Sequence, residues 1–247
     1  MEKRTDKNSY TIIFATIMVI VVGALLAFLA SSLKPIIVEN QRLEKQQNIL
    51  YAMGVNDNDE TTANFVSTKD APELFSKYIK KQLVIQDGKV SENDKAYLID
   101  VKKEQANAKA GKARRLPLFV GEKDGETYYI APIRGKGLWD AIWAYVAMDK
   151  DMVVKGAYFD HKAETPGLGA NIKQRYFMDD FIGEHLMNNG VFKGIDVAKG
   201  NADPKNEDKT DNEVDAIAGA TITGDGVSAM IRSDLKLYVP YFETLKN

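Results

Sequence analysis

The chain has 247 residues, 45% of them hydrophobic and 28% charged, which is typical of a globular protein with one large domain or two small ones. A formal net charge of −2 at pH 7 argues against nucleic-acid binding, because such binders usually carry a basic face. The absence of cysteine excludes disulfides, cysteine-bound iron–sulfur clusters and thiolate catalysis. With only two histidines, His161 and His185, we predict neither a metal site nor a catalytic triad.

An uncharged apolar run from Tyr10 to Leu33 follows the polar residues 1–9. Its length is sufficient to cross a bilayer, which takes roughly 20 residues. The basic residues Lys3, Arg4 and Lys7 precede it, and this charge bias predicts a cytoplasmic N-terminus with the rest of the chain outside. The alternative is a cleaved signal peptide, but its apolar part usually has only ~7–15 residues. We therefore predict one uncleaved transmembrane helix over residues 10–33.

A helical stalk is predicted over residues 34–53, because Ile36, Leu43 and Leu50 recur in a seven-residue rhythm among charged side chains. A solvated surface helix explains these charges equally well. The stretch from Asn56 to Glu60 resembles a calcium loop superficially, but it lacks the required glycine and distant glutamate. We interpret it as an acidic turn.

The remaining chain, residues 54–247, alternates short apolar runs with turn residues, which indicates strands joined by hairpins and a few helices. The charged segment Lys102–Arg115 is expected to be mobile, as a solvated helix or loop. The predicted strands cover residues 83–86, 89–101, 116–120, 127–133, 142–148, 152–159 and 191–199, and the predicted helices cover residues 72–78, a segment with Phe177, Phe181 and Leu186, and a segment starting near Thr223–Gly226.

Two glycine-rich stretches place apolar groups on turns. Leu138 and Trp139 follow glycines and could border a planar ring, although a tryptophan is more often part of the core. In the segment His161–Gly169, Pro166 and Gly167 enforce a turn that presents polar and apolar groups on a rigid loop. The alternative interpretation of this loop is an ordinary turn leading into a helix.

A third stretch of small residues lies near the C-terminal end. In an extended segment, side chains two apart point the same way, so Thr221 and Thr223 are predicted to offer both hydroxyls to one side. A helix follows, and its N-terminus would suit a phosphate. The same pattern also fits a simple helix cap and a tight turn. Close approach of a large ligand would be possible because the neighbours are small, namely Gly219, Ala220 and Gly224.

This third stretch resembles the flavinylation motif of the FMN-binding domain family, Asp-x-x-Ser/Thr-Gly-Ala-Thr-x-Thr. The matching residues are Asp215, Gly219, Ala220, Thr221 and Thr223. The resemblance implies that the hydroxyl of Thr223 carries FMN through a phosphoester bond, that Thr221 assists, and that the backbone of Gly219 and Ala220 holds the phosphate. One position departs from the motif, because Ala218 stands where the family usually has Ser or Thr, which removes one hydroxyl near the phosphate.

The sequence His-x-x-Glu-Thr-Pro-Gly-Leu-Gly, from His161 to Gly169, is similar to the second signature of that family. The resemblance implies that Lys199 approaches the flavin, where a cation would favour an anionic reduced state, although most lysines simply face water. It also implies that a group of residues lines the flavin, namely Glu164, Thr165, Leu168, Gly169, Leu138 and Trp139.

Over nearly its whole length the chain resembles the C-subunit family of sodium-translocating NADH:quinone oxidoreductases. This implies an α+β fold with an antiparallel sheet, an FMN-binding region at about 128–240, and an extracytoplasmic, periplasmic domain anchored in a bacterial inner membrane. It also implies an electron relay that is inactive alone, with partner subunits of the A, B, D, E and F types and a flavin transferase during maturation. The alternatives are a G-type subunit of an Rnf complex, a free-standing flavin reductase, and a non-redox anchored scaffold protein.

Overall fold

A computed structural model describes residues 8–59, 62–200, 203 and 205–246. The predicted cytoplasmic basic residues Lys3, Arg4 and Lys7 therefore lie outside the described residues. Contacts between residues divide the chain into two units, the first ending at Arg42 and the second comprising Leu43–Asn247. All of the sheet and all candidate site residues belong to the second unit.

The first helix, α1, runs from Asn8 to Ala52 and includes both the predicted membrane span and the predicted stalk. Within the described part of the chain it is the one helix long and apolar enough to cross a membrane. Its side chains are exposed as far as Gln41. The last turns differ from a solvated stalk, because Ile49 and Leu50 are fully buried in the second unit. These consecutive apolar residues make the end of α1 part of a hydrophobic core.

The centre of the second unit is a six-stranded antiparallel sheet in the order β2-β1-β3-β4-β5-β6. The predicted α+β class with an antiparallel sheet is confirmed. Two of its hairpins have Asp-Gly turns in which both residues have a positive φ. The φ angles are 50° at Asp87 and 73° at Gly88 in one turn, and 53° at Asp124 and 82° at Gly125 in the other. The six strands are β1 (Ile79–Gln86), β2 (Lys89–Glu92), β3 (Leu116–Lys123), β4 (Glu126–Lys136), β5 (Ala141–Met148) and β6 (Val154–His161).

Helices and short strands complete the unit. The helices are α2 (Ala71–Tyr78), α3 (Val101–Lys109), α4 (Arg175–Asp180), α5 (Thr221–Asp234) and α6 (Val239–Thr244), with 3₁₀ turns at Ala96–Leu98, Gly169–Lys173 and Leu235–Tyr238. The short strands form two pairs, β7 (Met187–Asn188) with β8 (Val191–Phe192) and β9 (Asp196–Val197) with β10 (Glu213–Val214).

Three predicted elements are shorter than expected. The strand predicted over residues 89–101 ends at Glu92, and α3 begins soon after because the Asp100 side chain caps it by accepting from the amides of Lys102 and Lys103. The strand predicted over residues 191–199 is split into β8 and β9 by Gly194, whose φ is 79°. The helix predicted through Leu186 ends at Asp180, just before Gly183 with φ 89°.

The charged segment Lys102–Arg115 contains the largely exposed helix α3, as one of the two expected forms, but the expectation that it is mobile is wrong because buried partners hold it. Buried Glu104 accepts from the guanidinium and the backbone amide of Arg115, at 2.6 and 2.9 Å. Arg114 forms a two-pronged ion pair with Asp234 at 2.9 and 3.0 Å. Composition alone indicated a solvated segment because it does not show that these charges have buried partners in distant parts of the chain.

Glu184 is a fully buried carboxyl group beside β6. Neither of its oxygens accepts a hydrogen bond of normal length from the described residues, and the ammonium of Lys209 lies 3.8 Å from Oε1. Burial raises the pKa of Glu184 to about 7; Asn206 and Lys209 oppose this shift, whereas Asp211 and Asp180 add to it. Glu184 is therefore a titratable group that takes up a proton more readily in the folded state than in the unfolded state.

Replacing Glu184 by Gln is expected to remove a pH dependence of stability. An unfolded glutamate titrates near ~4.3, so the folded protein binds this proton more tightly, and the free energy of unfolding falls as the pH rises from there to above 7. The full loss approaches about 4 kcal/mol, since one pKa unit corresponds to about 1.4 kcal/mol. Urea unfolding of wild type and Glu184→Gln near pH 5 and near pH 8 measures it. An equal loss in both proteins would contradict the prediction.

Candidate functional site

Helix α5 crosses the end of strand β4 at very close range. A Cβ at Gly226 would overlap the carbonyl oxygen of Lys136, and a Cβ at Gly135 would lie 2.7 Å from the Cβ of Met230. Glycine is therefore required at both positions by the close approach of helix and strand. This packing brings the first turn of α5 beside the β4–β5 connection, which contains Leu138 and Trp139.

The centre of the site is a buried hydrogen bond between Thr223 and Glu164. Thr223 Oγ1 donates to Glu164 Oε2 at 2.7 Å, and the two residues are only 1% and 4% exposed. The other carboxylate oxygen, Oε1, accepts from the amides of Trp139 at 3.0 Å and Asp140 at 3.4 Å. The amide of Glu164 itself donates to His161 Nδ1 at 3.1 Å. The two amides thus fix Oε1, and Oε2 is aimed at the Thr223 hydroxyl.

Two glycines enclose this carboxylate. A Cβ at Gly137 would lie 2.6 Å from Glu164 Oε1, and a Cβ at Gly169 would lie 2.6 Å from Oε2 and 2.5 Å from Thr223 Oγ1. Any side chain at either position would collide with the hydroxyl–carboxylate pair. The glycines of the two predicted turns therefore leave room for this pair.

Glu164 is held in its ionised form. Burial raises its pKa, but the hydrogen bonds from Thr223 and from the amides of Trp139, Asp140 and Leu138 outweigh burial, and the pKa lies below its ordinary value. The ionised carboxylate has no proton to donate, so Thr223 must supply the proton of their shared hydrogen bond. The Thr223 oxygen is accordingly the donor of this bond, and its lone pairs take no part in it.

Apolar side chains surround this polar centre at the surface. Leu138, Trp139 and Leu168 are 43%, 66% and 41% exposed. The Trp139 indole nitrogen donates to Thr165 Oγ1 at 3.1 Å, and Leu168 lies so close to Gly219 that a Cβ there would be 2.9 Å from its Cδ2. These contacts place Trp139 beside Thr165 and Leu168 beside Gly219, while the lining of a flavin by these residues stays a prediction. A core role for Trp139, the alternative raised from the sequence, does not fit its exposure.

Thr221 and Thr223 do not face the same side, so that prediction is wrong. Helix α5 starts at Thr221, two residues before the earliest predicted start, and side chains two apart on a helix diverge by about 200°. Thr221 is exposed, whereas Thr223 is buried against Glu164. Within the described residues, the N-terminus of α5 has no side-chain cap, so its first amides remain available to a ligand.

The other predicted residues are distributed around the α5 start. Ala220 is the N-cap residue and is buried, while Gly219 is exposed with φ 74°. Ala218 is exposed, so the hydroxyl that the motif usually has there would point to the surface. Asp215 lies earlier in the chain than these residues, and its backbone amide donates to Asp180 Oδ2 at 3.0 Å. Lys199 forms an exposed ion pair with Asp225, in which Nζ and Oδ2 are 3.3 Å apart. Asp225 comes two residues after Thr223.

Two contributors were not identified from the sequence. Ile222, between the threonines, is 57% exposed and extends the apolar surface. Assigning 221–223 to the helix would have revealed it, because Ile222 lies opposite the buried face that contains Ile231. His161 was recognised only as part of a signature, yet its ring nitrogen orients Glu164. The sequence signal for this contact was the position of His161, three residues before Glu164.

The arrangement fits a phosphorylated planar ligand such as FMN. Uncapped amides of α5 and small residues before it suit a phosphate, and exposed apolar side chains around them suit an aromatic ring. The site also places a hydroxyl, Thr223 Oγ1, next to a carboxylate.

Comparisons with known proteins agree with this geometry. The model of the FMN-binding domain family matches residues 137–236, which contain both glycine-rich turns and α5. The chain is 30% identical over 209 residues to the C subunit of the Na(+)-translocating NADH-quinone reductase of Vibrio parahaemolyticus, covering 76% of this chain and 75% of the relative. Its identity to the corresponding protein of Neisseria meningitidis is 27% over 259 residues, covering 100% and 98% of the two chains.

A solved structure gives the same result. The crystal structure of the C subunit of the Na(+)-translocating NADH-quinone reductase from Parabacteroides distasonis superimposes with a TM-score of 0.72 at 32% identity, covering 85% of this chain and 96% of the other. Sequence and fold thus agree over most of both proteins, and the chain belongs to the family of Na(+)-translocating NADH-quinone reductase C subunits.

Proposed function

We propose that this chain is the electron-relay subunit of a membrane-bound, sodium-translocating NADH:quinone oxidoreductase, and that it carries FMN bound covalently to Thr223. When bound, FMN supplies the redox chemistry by accepting one or two electrons, and the protein supplies position and electrostatics. The family to which the chain belongs and the match to the FMN-binding domain model support this function.

The observation that carries the proposal is the Thr223 hydroxyl, bonded to a carboxylate at the proposed ligand site. Thr223 Oγ1 lies in the first turn of α5, bonded to an ionised carboxylate and bordered by exposed apolar side chains. In the proposed site the uncapped amides of α5 and the backbone of Gly219 and Ala220 bind the phosphate. Thr165 and Gly169 lie in the turn beside the ring. The ring itself lies against four apolar side chains, Leu138, Trp139, Leu168 and Ile222.

Charged and polar residues at the rim have lesser proposed roles. Thr221 presents an exposed hydroxyl at the first position of α5, within the same turn as Thr223. Lys199 supplies a cation at the surface beside Asp225. Asp215 precedes the phosphate-binding turn, and the hydrogen bond from its backbone amide to the Asp180 carboxylate holds the chain in place there. Ala218 leaves the turn without a side-chain hydroxyl.

Helix α1 anchors the chain in the membrane, and we propose that residues 10–33 form the span. We propose that this is the inner membrane of a bacterium, with residues 1–9 in the cytoplasm and the FMN-bearing unit in the periplasm. The basic residues before the span support this orientation. In that compartment a covalent bond retains a flavin that could not readily be replaced. We further propose partner subunits of the A, B, D, E and F types and a flavin transferase that modifies Thr223.

Intact mass of the full chain, produced together with a flavin transferase, tests the proposal. We expect the protein to be yellow and heavier by about 0.4 kDa, the size of one FMN phosphoester. We also expect no NADH oxidation by the isolated protein, because an electron relay needs its donor and acceptor. Colourless protein of unmodified mass would leave only an anchored scaffold protein, and activity with NADH alone would indicate a free-standing flavin reductase.

A further inference from the structure

We propose that Glu164 is the group that accepts the proton of Thr223 when this threonine is modified, so that the chain itself contributes a catalytic carboxylate to its own flavinylation. The inference rests on the proposed attachment of FMN to Thr223. It assigns to Glu164 a chemical role in forming the bond, in addition to a place in the lining of the site.

The geometry is already that of a nucleophile and its base. Thr223 Oγ1 and Glu164 Oε2 are 2.7 Å apart, within the distance for direct proton transfer. The backbone of Glu164 is held by His161, whose Nδ1 accepts from the Glu164 amide at 3.1 Å. Its second oxygen is held by the amides of Trp139 and Asp140, so the carboxylate cannot turn away from the hydroxyl.

No other described side chain is bonded to this hydroxyl. The charged groups nearest in sequence to Glu164 are committed elsewhere, because Lys162 forms an ion pair with Asp140 at 2.7 Å. His161 already uses Nδ1 for the amide of Glu164. Among the described side chains, Glu164 is therefore the one whose carboxylate oxygen is bonded to the Thr223 hydroxyl.

The step balances with a flavin nucleotide whose phosphate is activated as a phosphoanhydride, such as flavin adenine dinucleotide. Thr223 Oγ1 attacks the flavin-side phosphorus, the phosphorus–oxygen bond of the anhydride breaks, and adenosine monophosphate leaves. The hydroxyl proton passes to Glu164 Oε2 and then to water, and nothing is oxidised or reduced. A carboxylate of low pKa is adequate here, as in protein kinases, where an aspartate accepts the proton of the substrate hydroxyl.

The enclosure of the hydroxyl sets one further requirement. Thr223 is 1% exposed, and Gly169 packs so close that a Cβ there would lie 2.5 Å from Oγ1. The turn Thr165–Gly169 must therefore shift for the phosphorus to reach the oxygen. The bond to Glu164 keeps the hydroxyl oriented until that shift occurs.

The test measures the initial rate of covalent flavin incorporation into the full-length chain in detergent micelles, with a purified flavin transferase and flavin adenine dinucleotide. The variants are Glu164→Gln, which preserves size and a hydrogen-bond acceptor but cannot take up the proton, and Glu164→Asp, which keeps the carboxylate but shortens it. Rates are expressed per folded molecule and as kcat and KM for the acceptor chain. Glu104→Gln is the matched control, because Glu104 is another buried carboxylate but pairs with Arg115.

We expect Glu164→Gln to lower kcat about 100-fold or more, the usual contribution of a general base, with KM little changed. Glu164→Asp should retain more kcat than Glu164→Gln, and Glu104→Gln should match wild type. Wild-type kcat in Glu164→Gln, or an Asp variant no faster than the Gln variant, would overturn the inference. The proposed function fails separately, if Thr223→Ala is still labelled in the same assay.

Discussion

Replacing Thr223 by Ala should abolish covalent flavin, because it removes the only oxygen of that side chain while leaving the rest of the site unchanged. The expected result is the loss of the fluorescent band on a denaturing gel and a mass lower by about 0.4 kDa than that of the modified wild type. The variant should still fold. Glu164 loses one hydrogen bond but keeps those from the amides of Trp139 and Asp140, which limits the loss of stability to about 1–2 kcal/mol.

The matched control is Thr221→Ala, two residues earlier on the same helix. Thr221 is exposed and diverges from Thr223 around the helix, so its removal should leave the covalent band in place. Thr223→Ser, which restores a hydroxyl, should recover labelling. A fluorescent band that persists in Thr223→Ala and disappears in Thr221→Ala would move the acceptor to Thr221.

The sequence predicted most of the residues that meet around Thr223, but it did not reveal their geometry. Short motifs predicted the turns that contain Trp139, Glu164 and Leu168, because glycine and proline restrict the backbone locally. The bond between Glu164 and Thr223 joins residues 59 positions apart, and its formation depends on how closely α5 packs on β4. Local patterns contain no information about such a distance.

The orientation of the threonines shows the same limit. The alternation argument holds for extended backbone, and whether residues 221–223 are extended or helical depends on where α5 begins. Packing of the helix on the sheet contributes to this start, since Gly226, in the same helix, lies against the backbone of Lys136. The helix propensities of small and β-branched residues are a weak guide to where a helix ends, so tertiary contacts decide the boundary.

The charged segment before β3 is a second case in which distant partners decide the structure. Its low apolar content indicated mobility, yet Arg114 and Gln105 both bind Asp234, at 2.9 and 3.1 Å. Asp234 lies 120 residues after Arg114 and closes α5. The pattern of hydrophobic residues could predict the sheet, but not a polar network whose members are spread over the chain.

Replacing Asp234 by Ala is expected to be the most destabilising single change in this network. Asp234 is 3% exposed and accepts from both nitrogens of the Arg114 fork, from Gln105, and from the amide of Arg134 at 3.1 Å. Its loss leaves a largely buried guanidinium without its anion, which typically costs about 3–5 kcal/mol. Thermal unfolding of the full chain in detergent should shift downward by about 6–20 °C for a unit of this size.

Asp225→Ala provides the comparison, because it removes another aspartate from the same helix. Asp225 and its partner Lys199 are 52% and 65% exposed, so solvent screens their ion pair and its loss should cost no more than about 1 kcal/mol. A large difference between the two variants would show that burial, rather than the number of ion pairs, determines how firmly α5 is held on the sheet. Equal unfolding temperatures would contradict this view, since α5 would then be held on β4 mainly by apolar contacts such as that of Met230 with Gly135.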